Sequence, residues 1–193
     1  MLVFATLGPS GSNHELVTRR YLEFHGLGDA RVELVLKFED ALEMMLAGSA
    51  QHIVQVAVHP ETSETVARYY FRHRIYVIDA FIAPSHPLGV LTRADVTQPK
   101  TLALQPATRG YIDTSRWPTL IPEVSIASVA EGLLAGRYDS GLTALHFAES
   151  HPGRFRVDCS IGTIDDPWLV YGTQRTSGGN LLAWPNSPAA QLY

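Results

Sequence analysis

Leu2-Val3-Phe4-Ala5-Thr6-Leu7-Gly8-Pro9-Ser10-Gly11-Ser12-Asn13 opens the chain, and the order of residue types along it decides the fold. An apolar β-type run, Leu2 to Thr6, enters a turn of glycine, proline and serine. Ser12 followed by Glu15 then fits the capping box of a helix start, in which hydroxyl and carboxyl satisfy backbone donors. A strand feeding a helix through a tight glycine turn is the repeating unit of an α/β protein. Further β-type runs lie at Val32 to Leu36, Ile53 to Val58, Ile75 to Ile82, Thr101 to Leu104, Val124 to Ile126 and Trp168 to Tyr171. Helical patterns separate them, which predicts a largely parallel sheet. Leu16, Val17, Tyr21 and Phe24 recur at helical spacing as the core stripe of the first helix. Val129, Ala130, Leu133 and Leu134 do so for a later one, with Ser128 and Glu131 as its capping box.

Ala83-Pro84-Ser85-His86-Pro87 breaks this alternation, because two prolines force an extended crossing. A lobe boundary is expected there. Residues 1–83 with 160–173 form the first lobe, residues 84–159 the second, and residues 174–193 a tail or arm rich in Gly, Ser, Pro and Asn. Two crossings make a hinge. Leu181, Leu182 and Trp184 give the tail enough apolar surface to dock, either on a second copy as a homodimer contact or back on its own lobe.

With 193 residues, 46% of them hydrophobic, the chain can bury a substantial core. A net charge of -4, from 15 Lys+Arg against 19 Asp+Glu, offers no basic surplus for a nucleic-acid backbone. No apolar run approaches the roughly 20 residues that span a bilayer, and Met1 leads straight into Leu2 without a basic leader, so a cytoplasmic protein is expected. Cys159 is the single thiol, which excludes an internal disulfide and reads as an ordinary packed cysteine beside a strand. The eight histidines form no HExxH, and no Gly-x-Ser-x-Gly elbow, Walker loop or dinucleotide fingerprint is present. No metal and no cofactor is expected.

The candidate site residues stand at strand-to-helix turns, where open α/β sheets bind ligands. Ser10, Gly11, Ser12 and Asn13 offer a glycine turn and free helix-start N–H groups to an anion, unless the turn is merely capped. Val58-His59-Pro60-Glu61-Thr62-Ser63 follows the third strand and lines the same cleft, with His59 able to donate a proton near neutrality. In the second lobe, Thr108 and Arg109 follow a strand, and the guanidinium suits a bidentate grip on a carboxylate. Thr143 begins another such turn, either facing the cleft or capping a helix, with His146 just beyond it.

In this order the residues resemble the catalytic domain of prephenate dehydratase, over most of residues 1–172. Gly8-Pro9-Ser10-Gly11-Ser12-Asn13-His14 is similar to that family's Gly-Pro-x-Gly-Thr-Phe-Ser turn, His59-Pro60-Glu61-Thr62-Ser63 to its Pro-Ile-Glu-Asn-Ser, and Leu104-Gln105-Pro106 to its Ser-His-Pro. The family's Thr-Arg-Phe triplet, which carries the catalytic Thr, is replaced by Asp166-Pro167-Trp168. The non-aromatising prephenate decarboxylases of bacilysin-type antibiotic pathways also lack the triplet. They share the look of Gly136-x-Tyr138-Asp139-x-x-Leu142-Thr143 and of Trp168-Leu169-Val170-Tyr171-Gly172.

The resemblance implies a two-lobed fold of the type II periplasmic-binding-protein kind with a central cleft and without an ACT domain. It further implies a cofactor-free carboxy-lyase that decarboxylates prephenate, or a related carboxylated ring compound, without aromatisation. In that reading the Ser10 to Asn13 turn, Ser63, Thr108, Arg109 and Thr143 hold the small anionic carboxylate substrate. Trp168 walls its ring, and His59, Glu61, His86 and His146 are the candidate proton donors. A dehydratase with a relocated acid and a non-catalytic anion-binding or sensing protein remain the alternatives.

Overall fold

In the computed structural model, which describes residues 1–183, the opening run forms β1 (Val3–Leu7) and the Ser12-capped segment forms α1 (Asn13–Phe24). The chain continues through β2 (Arg31–Val35), α2 (Phe38–Leu46), β3 (His52–Val56), α3 (Thr62–His73) and β4 (Tyr76–Pro84). After the Pro84 to Pro87 break come β5 (Leu88–Arg93), β6 (Thr101–Leu104), a 3-10 helix (Pro106–Tyr111) and β7 (Thr119–Pro122). The last elements are α4 (Ile126–Leu134), β8 (Ser140–Ala144), α5 (His146–Ser150), β9 (Phe155–Gly162) and β10 (Asp165–Gly172). Among the described residues no helix is long and apolar enough to cross a membrane.

These strands build two sheets of five, ordered β2-β1-β3-β10-β4 and β7-β6-β8-β5-β9. Both are mixed, which corrects the expectation of one largely parallel sheet. β1 pairs in parallel with β2 and β3, but β10 runs antiparallel to β3 and β4. In the second sheet β6 is parallel to β7 and β8, while β5 is antiparallel to β8 and β9. The cause is the pair of crossings: β4 runs out of the first sheet and β10 runs back in beside it, while β5 enters the second sheet and β9 leaves beside it, so each such pair is antiparallel. The return crossing falls at Thr163 and Ile164, slightly later than the pattern of residue types places it.

The two crossings are bonded to each other. Ser85 N donates to the Ile164 carbonyl at 2.9 Å, and Ile164 N donates to Ser85 Oγ at 3.0 Å. Arg20 reaches from α1 to the Pro84 carbonyl at 2.8 Å. Core residues on both faces of each sheet fill in around this strap: Phe38, Ile53 and Tyr171 on one side of the first sheet, and Val17, Val54 and Trp168 on the other.

Three local expectations change. Val124 to Ile126 is no strand: Ser125 caps α4 by accepting from Ser128 N at 3.0 Å, so the helix starts a turn before the Ser128–Glu131 pair. Phe24 is 85% exposed in the last turn of α1, where His25 meets it edge-on, and Leu22 takes its place in the core. Leu181 and Leu182 are exposed rather than folded back, and Trp184 lies outside the described residues.

The Gly136-x-Tyr138-Asp139-x-x-Leu142-Thr143 run is a joint between α4 and β8. Gly136 takes φ +72°, a left-handed conformation open to glycine, just past the helix end. Tyr138 Oη donates to the Val129 carbonyl at 2.8 Å, and the Asp139 carboxylate accepts from Lys100 N and Thr101 N at 2.8 and 3.1 Å. Leu142 is core and Thr143 Oγ1 donates to the Ile126 carbonyl at 2.6 Å. The Tyr138 hydroxyl lies so close to Gly132 that a Cβ built there falls 1.9 Å from it. Gly132→Ala should therefore destabilise the protein by at least about 2 kcal/mol through overpacking, against about 1 kcal/mol for Tyr138→Phe, which removes only the hydrogen bond. Urea denaturation of the two variants checks the ranking.

Candidate functional site

At the carboxyl ends of β1 and β3, where α1 and α3 begin and β10 enters, the first sheet gathers two imidazoles over two aromatic rings. The His14 ring lies 5.0 Å from Trp168 and 5.5 Å from Phe38, and the His59 ring 5.0 Å from Phe38 and 6.3 Å from His14, centroid to centroid. Val56 N donates to His14 Nε2 at 3.4 Å, and Glu61 N donates to His59 Nδ1 at 3.2 Å. Burial, reinforced by the charge of His59, pushes His14 down to about 3. His59 is likewise lowered by burial, with the Glu61 carboxylate opposing the shift. Both rings are therefore neutral near pH 7.

The second sheet presents the corresponding edge. The 3-10 helix after β6 carries Thr108, Arg109 and Tyr111, and α5 after β8 carries His146. Two contacts tie the edges together. The ring of His86, on the crossing, lies 4.7 Å from that of His146 at a 46° tilt, and His86 donates its backbone N–H to Asn13 Oδ1 at 2.9 Å. Asp166, at the start of β10, is half-buried, and burial with the neighbouring Asp165 charge raises its carboxyl above the ordinary range. It lies close enough to the second lobe that its charge, after burial, helps to raise the Tyr111 phenol.

The turn expected to grip substrate is filled by the protein itself. Ser10 Oγ and Gly11 N donate to Glu15 Oε2 at 2.9 and 2.8 Å, while Arg19 binds Oε1 through Nε and Nη2 at 3.0 and 2.7 Å. Burial works against the Glu15 charge, yet these donors hold its carboxyl below the usual range. The capping box is thus displaced by one residue: Ser12 Oγ accepts from Glu15 N and donates to the Leu7 carbonyl, but the Glu15 side chain reaches Gly11 rather than Ser12. Ser10 Oγ, Gly11 N, Ser12 Oγ and Asn13 Oδ1 are thus each engaged within the protein. Thr108 donates to the Gln105 carbonyl at 2.8 Å and Thr143 to Ile126, so both hydroxyls close local backbone instead of facing the cleft. Trp168 is 1% exposed and forms floor beneath His14 rather than a wall.

Ser63 in the first turn of α3, Glu61 and Arg109 are exposed, His146 is partly so, and among the described residues no carboxylate pairs with Arg109. Two depressions lie off this cleft. One of about 120 Å³ between α2 and α3 takes in Glu61, and one of about 440 Å³ at the end of α4 is lined by the paired Arg93 and Asp95. Sequence reasoning missed His14, Tyr111 and Asp166. His14 had one legible signal, its place just past the N-cap at the end of a strand. For Asp166 nothing local distinguishes it from an exposed carboxylate.

With the edges in place, solved structures supply the comparison. No family model and no curated protein matches the chain. A prephenate dehydratase from Arthrobacter aurescens, in complex with L-Phe, superposes with a TM-score of 0.68 at 19% identity over 93% of this chain. The chain spans 63% of that protein's length. The fold is two-lobed and periplasmic-binding-protein-like. The prephenate dehydratase from Staphylococcus aureus subsp. aureus Mu50 gives 0.59 at 14% identity, covering 91% of this chain and 67% of that one. The Bordetella pertussis BvgS periplasmic VFT2 domain gives 0.53 at 12% identity, covering 89% and 80%. In this chain His14, His59 and Asp166 belong to the first-sheet part, and Tyr111 and Arg109 to the 3-10 helix that follows β6.

Two outcomes follow from this geometry. Glu15→Ala should cost about 1.5–3 kcal/mol of stability through lost charge-assisted bonds and leave Gly11 N–H and Ser10 Oγ free. Sulfate should then raise the melting temperature of the variant more than that of the parent, and equal shifts would show that the turn is not an anion position. The second outcome concerns pH. His14, His52, His59 and His86 all have lowered folded values, so below their ordinary 6.5 the unfolded chain binds protons that the native form refuses. Stability should fall as pH drops from 7 toward 5, and His14→Phe should flatten the slope of the urea midpoint against pH.

Proposed function

We propose that the chain is a cofactor-free lyase that decarboxylates prephenate, or a related carboxylated ring compound, without aromatising it. The observation that carries this reading is Asp166, a half-buried carboxyl at the start of β10 whose ionisation is opposed by burial and by the neighbouring Asp165 charge. Arg109 supplies the cation for a substrate carboxylate, and Ser63 and His146 stand at the same edges. Closure of the lobes about the Ser85–Ile164 strap excludes water, which raises the energy of the departing carboxylate.

In the proposed step the ring carboxylate leaves as carbon dioxide and its bonding pair shifts into the ring. A ring carbon takes the proton from Asp166, leaving the ring hydroxyl in place. His59, Glu61 and His146 are the other groups able to return the proton from water. The same Asp166 favours a second reading, a dehydratase with a relocated acid, because a proton delivered to the hydroxyl instead expels water and yields phenylpyruvate. The likeness to the BvgS periplasmic VFT2 domain fits a third, non-catalytic anion-binding role.

Incubation with prephenate at pH 8, following substrate, carbon dioxide and phenylpyruvate together, separates them. Carbon dioxide without phenylpyruvate is expected. Both products together would establish the dehydratase, and stoichiometric binding without turnover the sensor. Asp166→Asn should lower turnover about 100-fold, the lower end of general-acid contributions, with the apparent affinity little changed. An undiminished rate would remove Asp166 from the chemistry.

A further inference from the structure

We propose that the first lobe binds an uncharged carbonyl oxygen of the substrate through His14 and His59, leaving the substrate's carboxylate to Arg109 of the second lobe. This deepens the lyase reading, on which it rests, by naming the ligand class as a 2-oxo acid and giving its direction in the cleft.

The backbone fixes both tautomers. A ring nitrogen that accepts from an N–H carries no proton, so Val56 N on His14 Nε2 puts the His14 proton on Nδ1, and Glu61 N on His59 Nδ1 puts the His59 proton on Nε2. Neither protonated nitrogen has a partner among the described residues. Neither is among the buried polar atoms left without one, which are Thr18 Oγ1, Gln55 Nε2, His86 Nε2, Trp117 Nε1 and Trp168 Nε1. Both donors are thus open to the cleft edge. The two rings are neighbours, 6.3 Å apart and nearly perpendicular at 82°, and a carbonyl oxygen has two lone pairs to offer such a pair of donors.

A carboxylate is poorly served in the same place. The turn ahead of His14 already holds the Glu15 carboxylate, and Arg19 is spent on it, so an arriving anion meets a like charge and no unpaired cation. Neutral imidazole donors polarise a carbonyl without requiring a charge to be buried. Arg109 on the facing edge is the cation among the candidate site residues, which orients a 2-oxo acid with its oxo oxygen toward the first lobe and its carboxylate toward the second.

Calorimetric titration with phenylpyruvate and 3-phenylpropanoate tests this, since the two acids share ring, chain length and carboxylate and differ by the oxo oxygen. The parent should bind phenylpyruvate at least about tenfold more tightly, the worth of one or two hydrogen bonds. His14→Phe and His59→Phe should each cut that ratio severalfold while leaving 3-phenylpropanoate affinity unchanged, which also reports that the variants are folded. Arg109→Ala should weaken both acids alike. Equal affinity for the two acids in the parent, or a ratio that survives both histidine substitutions, would overturn the inference and leave the lyase reading standing. Failure of either acid to bind at all would overturn both together.

Discussion

The pairing of Ser85 with Ile164 is the constraint on which the rest depends. The chain leaves the first sheet on β4 and returns on β10 beside it, and enters the second on β5 and leaves on β9 beside it, so each sheet gains an antiparallel pair and becomes mixed. Asn13 holding His86, and the His86 ring packed against His146, continue the strap toward the strand-to-helix turns of both sheets.

The division of labour between the lobes follows from how each edge satisfies its own polar groups. In the first lobe the helix start is occupied by Glu15 and the imidazoles are pinned by backbone N–H groups, so this edge is neutral toward a ligand although it is rich in polar atoms. In the second lobe Thr108 and Thr143 close local backbone, and Arg109 remains available at the surface. Asp166, at the start of β10, has its carboxyl raised above the ordinary range by burial and by Asp165. A lyase that moves one proton and releases one carboxylate needs little beyond these parts.

Much of the fold was legible in the sequence because hydrophobic period and turn chemistry act locally. The Gly8 to Ser12 turn, the Ser12 cap and the Pro84–Pro87 break each appear as residue types in a row, and the structure places β1, α1 and the lobe crossing there. Strand direction was not legible, since β10 and β5 owe theirs to the crossings and not to their own residues. The partners of the candidate site residues were not legible. Ser10, Gly11, Asn13, Thr108 and Thr143 have the chemistry to meet a ligand, but which group satisfies each is settled by distances that no spacing encodes. Asp166 shows the converse: in the sequence it is only one of the residues standing in place of the triplet, and burial together with the Asp165 charge sets it apart from a surface carboxylate.

The central claim is that one small ligand sits between the two edges and touches both. The most direct measurement is a titration of the protein, labelled with 15N at histidine, with phenylpyruvate, following all eight imidazoles. The account predicts that His14, His59, His86 and His146 shift together at one equivalent, while His25, His52, His73 and His151 do not. Shifts confined to one lobe, or spread over the histidines away from the cleft, would contradict it.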